Sequence, residues 1–166
     1  MTVSRAQFAA LYEQHLPAVS AYLRRRVARD DVDDLAADVF AVAWRKRDAV
    51  APGDELPWLY RIAGYLVANH RRRLAARASV LGWSAVPDSA PAADAALDGD
   101  PALAAAWASL SATEREVLAL VVLDDLAVSE AAVALGVTPN AVSVRLHRAK
   151  KSLAAALGAS RDSDVA

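Results

Sequence analysis

Arginines set among aromatics and an asparagine, rather than nucleophiles or metal ligands, are the residues of this chain best suited to chemistry. Between Tyr60 and Arg77 stand Arg61, Arg71, Arg72, Arg73 and Arg77 with no acid among them, alongside Trp58, Tyr60, Tyr65 and Asn69. Guanidinium groups pair with phosphate oxygens and aromatic rings stack on unstacked bases, so this pattern suits single-stranded nucleic acid. A second cluster, Asn140 to Leu153, carries Arg145, Arg148, Lys150 and Lys151, again without an acid. Here Asn140, Ser143, Val144 and His147 are the candidates to meet base edges, while the cations would mostly meet phosphates. Either cluster alone could be a solvated helix face. A turn, a cap and a basic face coincide in the second, and aromatics and a nearby loop accompany the first, which favours nucleic acid in both.

Other chemistries find little support. There is no cysteine, so neither a disulfide framework nor a thiolate metal site is available. His15, His70 and His147 are far apart, without the spacing of a zinc motif. Asp33, Asp34 and Asp38 could form an acidic metal cluster, and Glu114 with Glu116 a carboxylate pair. No Gly-rich phosphate loop, nucleophile elbow or His-carboxylate set accompanies them, so no enzyme, metal or cofactor is expected. No apolar run approaches the roughly 20 residues that span a bilayer, and the N-terminus lacks the pattern of a signal peptide. A cytoplasmic location without membrane insertion is the expectation.

The elements that must position the clusters follow from periodicity. Phe8, Leu11, Tyr12, His15, Leu16, Val19, Tyr22 and Leu23 keep the spacing of an amphipathic helix ending near Arg24, Arg25 and Arg26. A second helix opens at the N-cap candidates Asp30 and Asp31, buries Val32, Leu35, Ala36, Val39, Phe40 and Ala43, and closes at Trp44. After a loop broken by Pro52 and Gly53, a third starts at Pro57 with Leu59, Ile62, Ala63, Leu66 and Val67 inward. Helical periodicity returns after Pro101, at Leu103, Trp107 and Leu110. Ser111-Ala-Thr-Glu114 is a capping box, and a short helix ending at Gly136 precedes a final helix capped by Thr138. That last pair reads as a helix-turn-helix.

The chain is thus predicted to be all-α, with two small helical domains: an N-terminal bundle over 1–77 and a helix-turn-helix domain over 102–158, followed by a tail, 159–166. Between them lies a flexible acidic linker, 78–101, holding Asp88, Asp94, Asp98 and Asp100 and no base. The three charge balances, +4 over 1–77, −4 over 78–101 and −1 over 102–166, explain how two basic patches coexist with a net charge of −1.

Four segments in order, VDDLAADVFAVAWRKRD, LPWLYRIAGYLVANHRRR, LSATEREVLALVVLDDLAVSEAAVALGV and TPNAVSVRLHRAKKSL, resemble RNA polymerase sigma factors of the extracytoplasmic-function type, in the sigma-70 superfamily. The resemblance implies a factor that binds core polymerase, reads −10 and −35 promoter elements and helps to open DNA. The first domain would then be sigma region 2 and the second sigma region 4. It assigns Asp34, Leu35, Asp38, Phe40 and Trp44 to the coiled coil of the largest catalytic subunit, and makes the polymerase flap a further contact. It gives the loop from Asp48 to Leu56 the capture of a flipped −10 base. It places Arg45, Lys46, Asp54, Trp58, Arg61, Asn69, Arg71, Arg72 and Arg73 at the −10 element. Pro139, Asn140, Ser143, Val144, Arg145, His147, Arg148 and Lys151 fall at the −35 element. Promoter DNA and an anti-sigma factor are the other implied partners. In the implied arrangement the linker passes through the polymerase's RNA channels.

The chain departs from the family pattern at Ala37, where glutamine is common, and at Ser143 and Val144, where Lys or Arg and Ser are frequent. Ala127 replaces a Ser or Thr cap, a loss of about 1 kcal/mol unless Asp125 or Ser129 compensates. A competing reading is a dimeric helix-turn-helix repressor or activator with an N-terminal sensor, which predicts a stable homodimer on a palindrome. A sensor has no need of the arginine-aromatic arrangement, so no homodimer is expected.

Overall fold

A computed structural model describes residues 2–82, 91 and 99–163, with 160–163 described as backbone only. Among them every regular element is helical: α1 (Arg5–Arg24), α2 (Val32–Arg45), α3 (Glu55–Val80), α4 (Pro101–Ser109), α5 (Ala112–Leu118), α6 (Val128–Leu135) and α7 (Pro139–Ser163). They form two compact units, one built on α1–α3 and one on α4, α5, α7 and α6 as far as Ala132. The expected linker falls for the most part outside the described residues, as do Trp83, Asp88, Asp94 and Asp98.

In the first unit each helix packs on the other two. Val19, Leu23, Val39, Ala43, Leu59 and Ala63 are fully buried, as their periodicity requires. Ser4 starts α1 through a reciprocal capping box with Gln7, a signal present in the sequence but subordinate there to the apolar stripe. At the other end, Arg26 folds back on the last turn. Its Nη1 donates to the Tyr22 carbonyl at 2.8 Å, and the guanidinium lies 3.5 Å from the centre of the Tyr22 ring. His15, half-buried on α1, has its pKa lowered by that burial, which Glu55 only partly offsets.

Helix starts differ from the sequence reading in two places. Asp31 does not cap α2 with its side chain. It pairs instead with His70 Nε2 at 3.1 Å, tying the turn before α2 to α3. α3 begins at Glu55 rather than Pro57, because residues 55 and 56 complete the first turn ahead of the proline. It also continues through Val80, past the expected boundary at 77.

In the second unit Asp100 caps α4, accepting from the amides of Ala102 and Leu103, and Pro101 occupies the first turn. Pro101, expected in the linker, is therefore helical. Trp107 is buried and its indole donates to the Pro91 carbonyl at 2.7 Å. Ser111 and Glu114 form the expected capping box on α5. After Leu118 the helix widens into a π-helical segment, Ala119–Leu123, closed by the Asp124 amide on the Ala119 carbonyl at 2.8 Å. Asp125 then takes φ 56°, a left-handed conformation that ends the element. α7 runs on through Ser163, so residues expected in a tail after 158 are partly helical.

Candidate nucleic-acid interfaces

The helix-turn-helix is assembled by caps. Where Ala127 offers no side-chain oxygen, the Glu130 carboxylate accepts from the Ala127 amide at 2.8 Å, the reciprocal half of a capping box. Glu130 thus satisfies the Ala127 amide, one of the two bonds a full capping box would make. α6 ends in a Schellman arrangement: the Gly136 amide bonds the Val133 carbonyl at 3.2 Å and Val137 bonds Ala132 at 3.1 Å, with Gly136 at φ 65°. That left-handed angle is why the turn needs glycine. Thr138 Oγ1 then accepts from Ala141 at 3.2 Å and starts α7.

α7 turns Val142 and Ala149 fully inward. Asn140, Ser143, Val144, His147 and Lys151 follow at three- and four-residue steps on the outer face, and all are exposed. Pro139 and Arg148 flank this stripe and are also exposed. Arg145 differs: it is half-buried, roughly a third of a turn away from the others. The outer stripe offers an amide, a hydroxyl, a methyl-bearing side chain and an imidazole in its middle, with cations toward one end. Such a face fits a major groove bounded by phosphates. Across the unit, the Ser152 hydroxyl of α7 donates to the Glu114 carboxylate of α5 at 2.7 Å. With the Ser111 amide, that bond holds the Glu114 carboxyl below its ordinary pKa.

α3 carries the first unit's outer stripe: Trp58, Arg61, Tyr65, Asn69 and Arg72 recur at three- and four-residue steps. Arg61, Tyr65, Asn69 and Arg72 are exposed and Trp58 is half-buried. Arg72 donates to the Asn69 side-chain oxygen. Tyr65, 63% exposed, is the ring best placed to stack. Tyr60, grouped with it by sequence proximity, belongs to the core. It is 2% exposed and stacks on Tyr22 with ring centres 4.8 Å apart. Its position on α3 turns it to the inner face, and so it cannot offer a platform. Arg71 is half-buried off the stripe, and Arg73 is exposed on the side toward α2. Arg45 and Lys46 are exposed where α2 ends, and Asp54 is half-buried at the start of α3.

On α2, Asp34 and Asp38 are exposed, and with Arg73 and Arg77 they line a cleft of ≈ 340 Å³ between α2 and α3. The acids expected at polymerase and an arginine expected at DNA therefore border the same groove. Leu35 and Phe40 are 3% and 4% exposed: Leu35 lines the floor of this cleft, and Phe40 packs edge-on against Tyr12. Both side chains support the helix that displays the acids. Trp44 is half-buried, edge-on to Phe8 at 5.0 Å. Among the described residues no cluster of three or more His, Asp or Glu side chains could hold a metal ion, and no helix is long and apolar enough to cross a membrane.

Known proteins share this arrangement. Residues 11–78 match the family described as Sigma-70 region 2, and residues 101–153 the family described as Sigma-70, region 4. The ECF RNA polymerase sigma factor SigF of Caulobacter vibrioides is 33% identical over 140 residues, covering 81% of this chain and 76% of that protein. The RNA polymerase sigma factor CarQ of Myxococcus xanthus is 29% identical over 160 residues, 91% of this chain and 89% of that one. Among solved structures, CnrH in complex with the cytosolic domain of CnrY superposes with TM-score 0.65 at 27% identity, covering 94% of this chain and 90% of that chain. The fold is also that of the Bartonella quintana sigma factor RpoE, solved with the anti-sigma factor NepR: TM-score 0.68, 23% identity, and 91% and 96% of the two chains.

Proposed function

Since this chain belongs to the extracytoplasmic-function sigma factors, non-catalytic proteins that recognise promoters for transcription initiation, we propose that its two units divide the promoter between them. The observation that carries the reading is the pair of exposed stripes, one on α3 and one on α7, whose side chains differ in kind. α7 presents short polar side chains and cations suited to duplex DNA. Asn140, Ser143, Val144 and His147 would read −35 bases, while Pro139, Arg148 and Lys151 approach the backbone. Arg145, half-buried, would act from the flank. α3 presents rings, an amide and guanidinium groups suited to separated strands. Trp58, Arg61, Asn69 and Arg72 would hold the melted −10 region, and the exposed Tyr65 joins them. Arg45, Lys46, Asp54, Arg71 and Arg73 would border it.

The first unit, over about residues 1–77, would also hold core polymerase. Asp34 and Asp38 would pair with basic side chains on the coiled coil of the largest subunit, and the second unit, about 102–158, would meet the flap. The acidic segment 78–101 would run between them in channels that are positive for RNA. The chain would act in the cytoplasm as one copy per polymerase. CnrH was solved with the cytosolic domain of CnrY and RpoE with the anti-sigma factor NepR, and an anti-sigma factor would bind this chain as well.

Transcription on bubble templates tests the division. With purified core polymerase, Asn69→Ala and Arg72→Ala should lose activity on duplex promoters and regain part of it when the −10 region is supplied pre-melted. Arg148→Ala should regain none. Equal rescue of both classes would remove the assignment.

A further inference from the structure

The loop between α2 and α3 is held at both ends, and only one hold is local in sequence. At its far end the Asp54 amide bonds the Ala51 carbonyl at 3.1 Å with Gly53 at φ 90°, as a type II turn with proline at its second position requires. At its near end the partner is Val3, which precedes α1. The Val3 amide donates to Asp48 Oδ1 at 3.1 Å, and Arg47 Nε donates to the Val3 carbonyl at 3.2 Å. Both backbone polar groups of one residue are therefore paired with the 3₁₀ turn Arg47–Ala49 that opens the loop.

Neither side of this contact is loose. Arg47 also donates through Nη1 to the Trp44 carbonyl at 2.7 Å, and its guanidinium carbon sits 3.9 Å from the centre of the Trp44 ring. Trp44 is in turn packed edge-on against Phe8 of α1. Val3 directly precedes Ser4, which the capping box with Gln7 holds at the start of α1. Only Val50 separates the 3₁₀ turn from the turn Ala51–Asp54. Fixing both ends of so short a segment removes most of the backbone freedom it would otherwise have.

We propose that Val3, Arg47 and Asp48 form a strap that sets where the loop 50–54 stands, and through it the base preference at the −10 element. This rests on the reading of the loop from Asp48 to Leu56 as the −10 base-capture element, with Asp48, at its near end, anchoring the part that follows. Arg47 and Asp48 are positioning residues in this account. They act through the loop backbone, and the N-terminal residues become part of promoter specificity although they touch no DNA.

Two measurements test it on the full chain. Asp48→Ala and Arg47→Ala should each speed hydrogen exchange of the Ala49 and Asp54 amides, the hydrogen-bonded ones of this segment, in the free protein by about 2–10-fold, the range of one net hydrogen bond. Asp48→Asn keeps the Oδ1 acceptor and should restore protection. In holoenzyme reconstituted with core polymerase, the two alanine variants should narrow discrimination among single-stranded −10 oligonucleotides by a similar factor. A chain beginning at Ser4, released by cleaving an N-terminal fusion, should behave alike and show no further loss when Asp48→Ala is added. Unchanged exchange overturns the strap whatever the loop reads. Faster exchange with unchanged discrimination overturns its role in specificity. Asp54→Ala separates the two layers: if it alters −10 preference while the strap variants do not, the loop reading stands and the strap proposal fails. If Asp54→Ala and the strap variants all leave preference unchanged, both fail.

Discussion

Glu114→Ala should destabilise the second unit by about 2 kcal/mol, because one carboxylate serves two distant parts of it. Its Oε2 accepts from the Ser111 amide at 2.9 Å, completing the capping box, and its Oε1 accepts from the Ser152 hydroxyl at 2.7 Å. Hydrogen bonds to a charged group contribute about 1.5–3 kcal/mol each when shielded. Glu114 is only half-buried, and solvent brings each toward about 1 kcal/mol. Ser152→Ala should then cost about 1 kcal/mol, and the double variant should be less destabilised than the sum by about the same amount, since the two side chains share one bond.

The pH dependence carries its own sign. The Ser152 hydroxyl first, and then the Ser111 amide, hold the Glu114 carboxyl below its ordinary pKa. The unfolded chain therefore takes up the proton at higher pH than the folded one. The contribution is whole above the ordinary carboxylate range and is lost as pH falls through the lower folded value. Glu114→Gln should keep part of the capping box yet lose this acid dependence. Urea titrations read by hydrogen exchange at α5 and α7 amides, which keep the second unit distinct from the first, measure all four proteins. Strict additivity of the two alanine substitutions, or an unaltered acid slope in Glu114→Gln, would refute the reasoning.

Three further outcomes are expected. Arg148→Ala or Lys151→Ala should weaken holoenzyme binding to all −35 sequences about equally and reduce the slope of log affinity against log salt by about one, whereas Asn140→Ala or His147→Ala should change which base is preferred; binding series in varied salt decide it. Asp38→Arg, a reversal on an exposed face of α2, should lower affinity for core polymerase while circular dichroism stays unchanged, and an unaltered titration removes Asp38 from the interface. Glu130→Ala should destabilise α6 by about 1 kcal/mol, and adding Ala127→Ser should recover much of it, as thermal unfolding read at α6 amides would show.

The order of helices was legible in the chain because apolar spacing and caps are local properties. The stripe Val32 to Ala43, the box at Ser111 and Glu114, the turn at Gly136 and the cap at Thr138 each lie within a few residues, and the same short segments carry the family resemblance. The exposed α7 face followed too, since one helix needs only its periodicity to separate Val142 from Asn140 and Ser143. Contacts between distant residues were not legible. Tyr60 looked like a stacking ring beside Trp58 and Tyr65 until packing with Tyr22 put it in the core. Leu35 and Phe40 lay on the apolar stripe that periodicity turns inward, and their burial agrees with it; the polymerase contact assigned to them came from the resemblance alone. Asp31 left its expected capping role for His70, 39 residues away, and Val3 met Asp48 across 45. Sequence fixes which residues share a helix face, because that depends on the backbone repeat alone. Which face is covered, and which polar group answers another across the fold, depends on how the helices are brought together, and the tertiary structure alone decides it.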